Sequence, residues 1–164
     1  MTRVLRSAWS SVAVIAACNS PARSDAPSAS AVPFVPSPAH VAISPAGAGA
    51  VADVVRDALS RASAQHRKLV VYVGATWCEP CQHFHHAAER GELDSAFPDL
   101  TLLEFDADRD RGRLADARYT SKYIPLFVLP NADGTSSGQQ IEGGVKGEGA
   151  VADITPRLTE LLAR

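Results

Sequence analysis

The sequence predicts an α/β fold, in which a central mixed sheet of about four to five strands has helices on both faces. Three observations predict it. Helical and strand patterns alternate from about residue 50 onward, which favours a layered sheet-and-helix domain. The apolar, β-branched run at residues 69–73 is typical of a strand buried on both faces. The turn signal at residues 131–134 predicts an antiparallel hairpin of the last two strands.

The bounds of each element follow from periodicity and from turn residues. Gly91 is suited to end the second helix, because glycine readily takes the left-handed conformation. The predicted elements are a helix at 50–66, a strand at 69–73, a helix at 78–90, a short helical turn at 92–97, a strand at 100–105, a helix at 109–119, strands at 126–129 and 137–142, and a helix at 151–162. Pro156 interrupts the last helix, so a kink and a restart capped by Thr155 both remain open.

Length and charge limit the classes of function. A chain of 164 residues has room for one domain and little more, and 46 % apolar with 21 % charged residues is typical of a globular protein. The formal net charge of -2 offers no basic excess for phosphates. We therefore expect no nucleic-acid partner.

The amino-terminal residues have the layout of an export signal. Arg3 and Arg6 precede an apolar stretch that is too short to span a bilayer and that ends at Cys18. Residues 15–18, Ile-Ala-Ala-Cys, resemble the lipobox of bacterial lipoproteins, which implies a signal peptide at 1–17 and lipidation of Cys18. The alternative is a secreted protein cut after Ala17 with an unmodified cysteine.

An Ala-, Pro- and Ser-rich stretch separates this signal from the periodic part of the chain. We expect a disordered tether over 18–49 and the globular domain over 50–164. A lipid anchor on such a tether would place the domain at a membrane surface, as a periplasm-facing lipoprotein of the bacterial envelope. Asn19 favours the outer over the inner membrane. If Cys18 is acylated, Cys78 and Cys81 are left as a pair.

Two motifs carry a family resemblance. Residues 77–81, Trp-Cys-Glu-Pro-Cys, follow a predicted buried strand and open a helix, and Ile124-Pro125 precedes a later internal strand. Together they resemble the thioredoxin superfamily over about residues 51–164. The closest comparison is to short envelope domains such as the C-terminal domain of DsbD. The Glu-Pro dipeptide is similar to that of oxidoreductases serving cytochrome c maturation, but their insertion before the proline strand is missing.

The resemblance implies a role for each residue of the motifs. Cys78, at a helix start that favours a thiolate, is the expected nucleophile, and Cys81 is the resolving thiol. Pro125, if cis, would place the backbone of its neighbour Ile124 beside Cys78 to pair with an extended substrate strand; the alternative is a trans proline at a strand start. Trp77 would flank the thiols as part of the substrate surface, or would serve packing alone.

The sequence departs from the family pattern at two places. Glu79 replaces a glycine beside the nucleophile, where it either tunes the thiols together with Pro80 or is simply tolerated. Tyr72 stands where the family has a buried acid six residues before the nucleophile. Glu104 and Asp106 are the candidates for proton transfer to Cys81, or are solvated strand-end charges.

Three histidines raise the question of a metal. His85 lies four residues after Cys81, on the same helix face, but no second Cys pair completes a site, so solvent-facing roles are favoured for His83, His85 and His86. We expect no cofactor. The predicted function is a protein disulfide reductase that exchanges thiols with protein substrates and a redox partner protein, a reductant being favoured over an oxidant. The alternative is a copper- or zinc-handling module built on the same two cysteines.

Overall fold

A computed structural model describes residues 40–164 and confirms the α/β architecture in that part of the chain. Its elements are β1 (Ala42–Pro45), α1 (Val51–Ala64), β2 (Lys68–Gly74), α2 (Glu79–Glu89), β3 (Leu100–Asp106), α3 (Arg111–Asp116), β4 (Leu126–Pro130), β5 (Ser136–Glu142) and α4 (Ala150–Leu162). A 3-10 turn at Gly147–Gly149 precedes α4. The predicted signal peptide, Cys18 and most of the predicted tether lie outside the described residues.

The five strands form one mixed sheet in the order β1-β3-β2-β4-β5. β1, β3 and β2 run parallel, whereas β4 is antiparallel to both β2 and β5. In this register Tyr72 of β2 lies opposite Glu104 on one side and Phe127 on the other. Because paired residues project to the same face, these three side chains lie on one side of the sheet.

Helices cover both faces of the sheet and create two cores. Phe84 of α2 and Ile154 of α4 pack on one face, around an aromatic group in which the Phe84 and Phe127 ring centroids are 4.9 Å apart. Val55 of α1 and Leu114 of α3 pack on the other face. β2 is buried on both sides because its alternate residues contribute to both cores, which agrees with the apolar run predicted for it.

The structure differs from the prediction at the end of the expected tether. Ala42–Pro45 forms the edge strand β1, paired with residues 101–104 of β3, so the folded part begins near residue 40 rather than 50. The backbone N–H of Val41 donates to the Asp94 carboxylate at 2.8 Å, and the Val41 side chain is buried. An edge strand can include a proline and needs few apolar residues, so the Ala, Pro and Ser composition concealed it.

Two helices also differ from their predicted form. α3 is shorter than expected and is followed by Arg118 in the left-handed conformation at φ 65°. α4 runs through Pro156 as one helix, so it does not restart at Thr155, which was one of the two forms left open; Ile154 and Leu158 on either side are fully buried. Residues 91–96 form turns, and the N–H of Phe97 donates to the carbonyl of Leu93 at 2.9 Å, which agrees with the short helical turn predicted there. Among residues 40–164, no helix is both long and apolar enough to cross a bilayer.

Candidate active site

Cys78 and Cys81 form a disulfide at the amino-terminal end of α2. Their sulfur atoms are 2.08 Å apart and their Cα atoms 5.2 Å apart. Cys78 caps the helix, and its sulfur accepts a hydrogen bond from the backbone N–H of Cys81 at 3.3 Å. Pro80 lies in the first turn, where its missing N–H breaks no helical hydrogen bond. After reduction, the same N–H and the helix dipole would favour a thiolate at Cys78.

Both cysteines are buried in this disulfide form. Cys78 is 4 % exposed and Cys81 is 3 % exposed, so the two sulfurs do not differ in exposure. Ala75 packs with them, and Ala107 and Ile124 cover this small cluster. The two sulfurs are therefore reached only from the surface that surrounds the disulfide.

The predicted Ile124-Pro125 segment lies beside this disulfide. The peptide bond that joins the two residues is cis, Ile124 contacts the cysteine cluster, and Pro125 is buried. The Pro125 carbonyl accepts a hydrogen bond from the N–H of Gly143 at 2.8 Å, which attaches the segment to the chain after β5. The chain combines the cysteine motif at the start of α2, a cis proline beside it and the strand order β1-β3-β2-β4-β5. The fold is thioredoxin-like.

Similarity of this chain to known proteins is found among solved structures. No protein-family model matches the chain, and no curated protein matches it. Among solved structures, it is similar to oxidised thioredoxin O1 of Arabidopsis thaliana, with 21 % identity, a TM-score of 0.45, and 76 % of this chain and 96 % of that chain covered. It is also similar to a thioredoxin of Trichomonas vaginalis, with 22 % identity, a TM-score of 0.48, and 75 % and 96 % covered.

Trp77 of the thioredoxin-like motif is held in place although it lies on the surface. Its side chain is 66 % exposed, and the indole Nε1 donates to a carboxylate oxygen of Asp108 at 2.7 Å. Asp108 was not among the predicted site residues. The contact between Trp77 and Asp108 could have been predicted, because the carboxyl ends of the parallel strands β2 and β3 meet at one edge of the sheet. Residues that follow the two strands therefore become neighbours.

A groove of about 630 Å³ runs beside the disulfide and is lined by Cys78 and Pro80. The large apolar side chains that are exposed within residues 40–164 all line it, namely Trp77, Tyr123 and Val145. The prediction included only Trp77. Tyr123, directly before Ile124-Pro125, and Val145, after two glycines, are apolar residues in loops, which was the signal that could have identified them.

Glu79 connects the disulfide region to the loop before α4. Its side chain is exposed, and its carboxylate accepts a hydrogen bond from the backbone N–H of Gly147 at 3.1 Å. This bond gives Glu79 a structural contact within the groove. Pro80 is buried and lies next to Gly144 of the same loop.

Tyr72 lies six residues before Cys78 and contacts the first turn of α2. Its hydroxyl lies 3.5 Å from the carbonyl oxygen of Cys81, to which it donates. Burial, and secondarily the negative charge of Glu104, raise the pKa of Tyr72 far above its ordinary range. Gly74 makes room for the hydroxyl, because a Cβ added there would lie 2.6 Å from it. Tyr72 therefore stays protonated and cannot accept a proton.

The two predicted proton-transfer candidates differ in their surroundings. Asp106 accepts the backbone N–H groups of Asp108 and Arg109 at 3.0 and 2.8 Å, so it orders the turn after β3. Glu104 is half-buried and lies 3.5 Å from Nε2 of His85, whose Nδ1 is 3.3 Å from a Glu89 oxygen. Of the two candidates, Glu104 is the one that lies close to a titratable side chain of α2, that of His85.

The three histidines of α2 differ in their contacts and in their exposure. His85 makes the contacts just described, His83 is half-buried and His86 is exposed. Within residues 40–164, no group of three or more His, Cys, Asp or Glu side chains is arranged to hold a metal ion. No observation on the described residues favours the metal-handling alternative.

Proposed function

We propose that the protein is a thiol-disulfide oxidoreductase that exchanges the Cys78–Cys81 disulfide with protein substrates. One observation carries the proposal: the disulfide at the start of α2 lies beside a groove lined by exposed apolar side chains. A redox-active pair needs a thiolate-favouring position, which the helix start supplies. It also needs a surface that holds a substrate, which exposed apolar groups typically provide.

Reduction of a substrate proceeds in two exchanges. The Cys78 thiolate attacks one sulfur of the substrate disulfide, forms a mixed disulfide and releases the other substrate sulfur as a thiolate, which takes a proton from solvent. Cys81 then loses its proton and attacks the Cys78 sulfur, which releases the second substrate thiolate. The two electrons that reduce the substrate are those lost when the Cys78–Cys81 bond forms. Oxidation of a substrate is the reverse sequence.

The groove supports recognition of an extended polypeptide segment. Trp77, Tyr123 and Val145 offer apolar contacts in the groove beside the disulfide. Ile124 packs against the cysteines, and in this proposal it and the cis Pro125 bind the substrate backbone next to the reacting sulfurs. Protein substrates fit this surface better than a small thiol, which would contact little of it.

We propose the direction and the setting from the sequence. The domain acts as a reductant, recharged by a redox partner protein, in the bacterial cell envelope. Lipidation of Cys18 anchors it to the membrane, with the outer membrane favoured by Asn19. The reduction potential, obtained by equilibration in thiol buffers, tests the direction: a value near about -270 mV supports a reductant, and one near about -120 mV an oxidant.

Two single substitutions test the exchange mechanism. Cys78→Ser should abolish reduction of a disulfide-bonded protein, because it removes the attacking thiolate. Cys81→Ser should accumulate a mixed disulfide at Cys78, detectable as a covalent adduct on a non-reducing gel, because no second thiol releases the substrate. The two variants are matched controls for each other. Full activity of the Cys78→Ser protein would contradict the proposed function.

A further inference from the structure

A second cleft reaches the disulfide at Cys81, whereas the groove described above reaches it at Cys78. It has a volume of about 660 Å³ and is lined by Cys81 together with Tyr72, His85 and Glu104. His85 follows Cys81 by one helical turn, so the two residues lie on the same face of α2, and both line this cleft. Glu104 is brought to the same cleft by its register opposite Tyr72.

We propose that Glu104 accepts the proton of Cys81 during the resolving exchange, with His85 as its positioning residue. This inference rests on the proposed function and assigns its missing proton acceptor. The Glu104 carboxylate is half-buried, opens to the cleft and is contacted by Nε2 of His85 at 3.5 Å. The cleft is large enough for water, which can carry the proton from the thiol to the carboxylate.

The other groups of the cleft are less suited to this role. The Tyr72 hydroxyl lies 3.5 Å from the carbonyl oxygen of Cys81, but burial raises the pKa of Tyr72, so the hydroxyl keeps its proton. One carboxylate oxygen of Asp106 accepts two backbone N–H groups, which hold it in the turn after β3. The remaining titratable or charged groups close to Glu104 and His85 are Glu89 and His86 on α2 and Arg109 after β3. Of these, Glu89 lies outside the cleft lining and contacts only the far nitrogen of His85.

In the resolving exchange every proton that is released is taken up, and every bond that forms replaces one that breaks. In the mixed disulfide, the Cys81 thiol gives its proton to the Glu104 carboxylate and becomes a thiolate. This thiolate attacks the Cys78 sulfur, the bond from Cys78 to the substrate breaks, and the substrate leaves as a thiolate. Glu104 then returns its proton to solvent through the cleft, while the released thiolate takes one from water. No further oxidant or reductant is needed.

An aromatic disulfide separates the two exchanges in one experiment. The reduced full-length protein is mixed with dithiobis-nitrobenzoate in a stopped-flow instrument. Attack by Cys78 releases the first coloured thiolate, and attack by Cys81 on the mixed disulfide releases the second. The variants are Glu104→Gln, which keeps the shape of the side chain, Glu89→Gln as the matched control on the far nitrogen of His85, and Tyr72→Phe. Circular dichroism checks that each variant is folded.

We expect Glu104→Gln to slow the second release by about 100-fold near neutral pH, as loss of a general base typically does, and to leave the first release unchanged. The defect should disappear at alkaline pH, where hydroxide ionises Cys81 without help. Glu89→Gln and Tyr72→Phe should retain the second release.

Equal second rates in Glu104→Gln and the wild type at every pH would overturn the inference and leave the proposed function intact. An equally slow second release in Tyr72→Phe would also overturn it, in favour of the tyrosine. Absence of a first release in the wild type would overturn the proposed function and the inference together.

Discussion

The carboxylate of Glu79 and the backbone N–H of Gly147 are joined by a hydrogen bond of 3.1 Å across a sequence separation of 68 residues. The first residue between the two cysteines of the disulfide thus holds the loop that carries Val145, which lines the groove beside them. Glu79 therefore brings two effects to the site: a negative charge beside Cys78 and a contact that orders the groove.

Substitution of Glu79 should separate these two effects. Glu79→Gln keeps an acceptor for Gly147 but removes the charge, which opposes ionisation of Cys78. Because one pKa unit at the thiol corresponds to about 30 mV, we expect a more positive reduction potential, by up to about 30 mV. Glu79→Ala should shift the potential similarly and also speed hydrogen exchange at Gly147. An unchanged or more negative potential in Glu79→Gln would show that the charge does not tune the disulfide.

Asp110 should make the stability depend on acidic pH. Its buried carboxylate precedes α3; burial alone would raise its pKa, but hydrogen bonds from Arg109, the N–H of Asp106 and Arg113 outweigh burial and lower the pKa to about 2. A lowered pKa stabilises the fold above about pH 4, and that contribution, about 2 kcal/mol, is lost as the pH falls toward 2.

Denaturant unfolding as a function of pH tests this assignment. The wild type should lose about 2 kcal/mol more than Asp110→Asn between about pH 5 and pH 2, because the amide does not titrate. The variant should also be less stable at neutral pH, since it leaves two guanidinium groups with a weaker acceptor. Parallel stability curves for the two proteins would contradict the role of Asp110.

Gly134 should be far less tolerant of alanine than Gly138. Both residues have positive φ, 83° and 78°, so alanine is strained at either position. A Cβ at Gly134 would also lie 1.9 Å from the carbonyl oxygen of Ala52, whereas nothing lies within 4 Å at Gly138. We expect Gly138→Ala to lower the free energy of unfolding by about 1 kcal/mol and Gly134→Ala by about 3 kcal/mol or more. Equal losses in thermal or denaturant unfolding would mean that α1 moves away without cost.

Replacement of Cys18 tests the proposed anchor. Cys18→Ala should move the protein from the membrane to the soluble fraction of the cells that export it, because the acylated residue is lost. Cys78→Ala, which removes a cysteine of the folded domain, is the matched control and should leave the distribution unchanged. Persistence of Cys18→Ala in the membrane fraction would remove lipidation as the means of attachment.

Much of the fold was predictable because long periodic segments carry strong local signals. The apolar run of β2, the amphipathic α1 and the hairpin turn before β5 were predicted with bounds close to those observed. The short edge strand β1 was not, because four residues with one large apolar side chain have no periodicity to detect. Its pairing depends on β3, almost sixty residues away.

The sequence by itself determined the two cysteines, their place at a helix start and the proline that would face them, since these are set by motif and spacing. Only the tertiary structure decided which side chains surround them. Tyr123 and Val145 meet Trp77 in one groove, and Glu104 meets His85 in the cleft behind Cys81, because strand order and register bring distant segments together. Local sequence does not encode such contacts; they arise when the sheet closes and its loops converge at one edge.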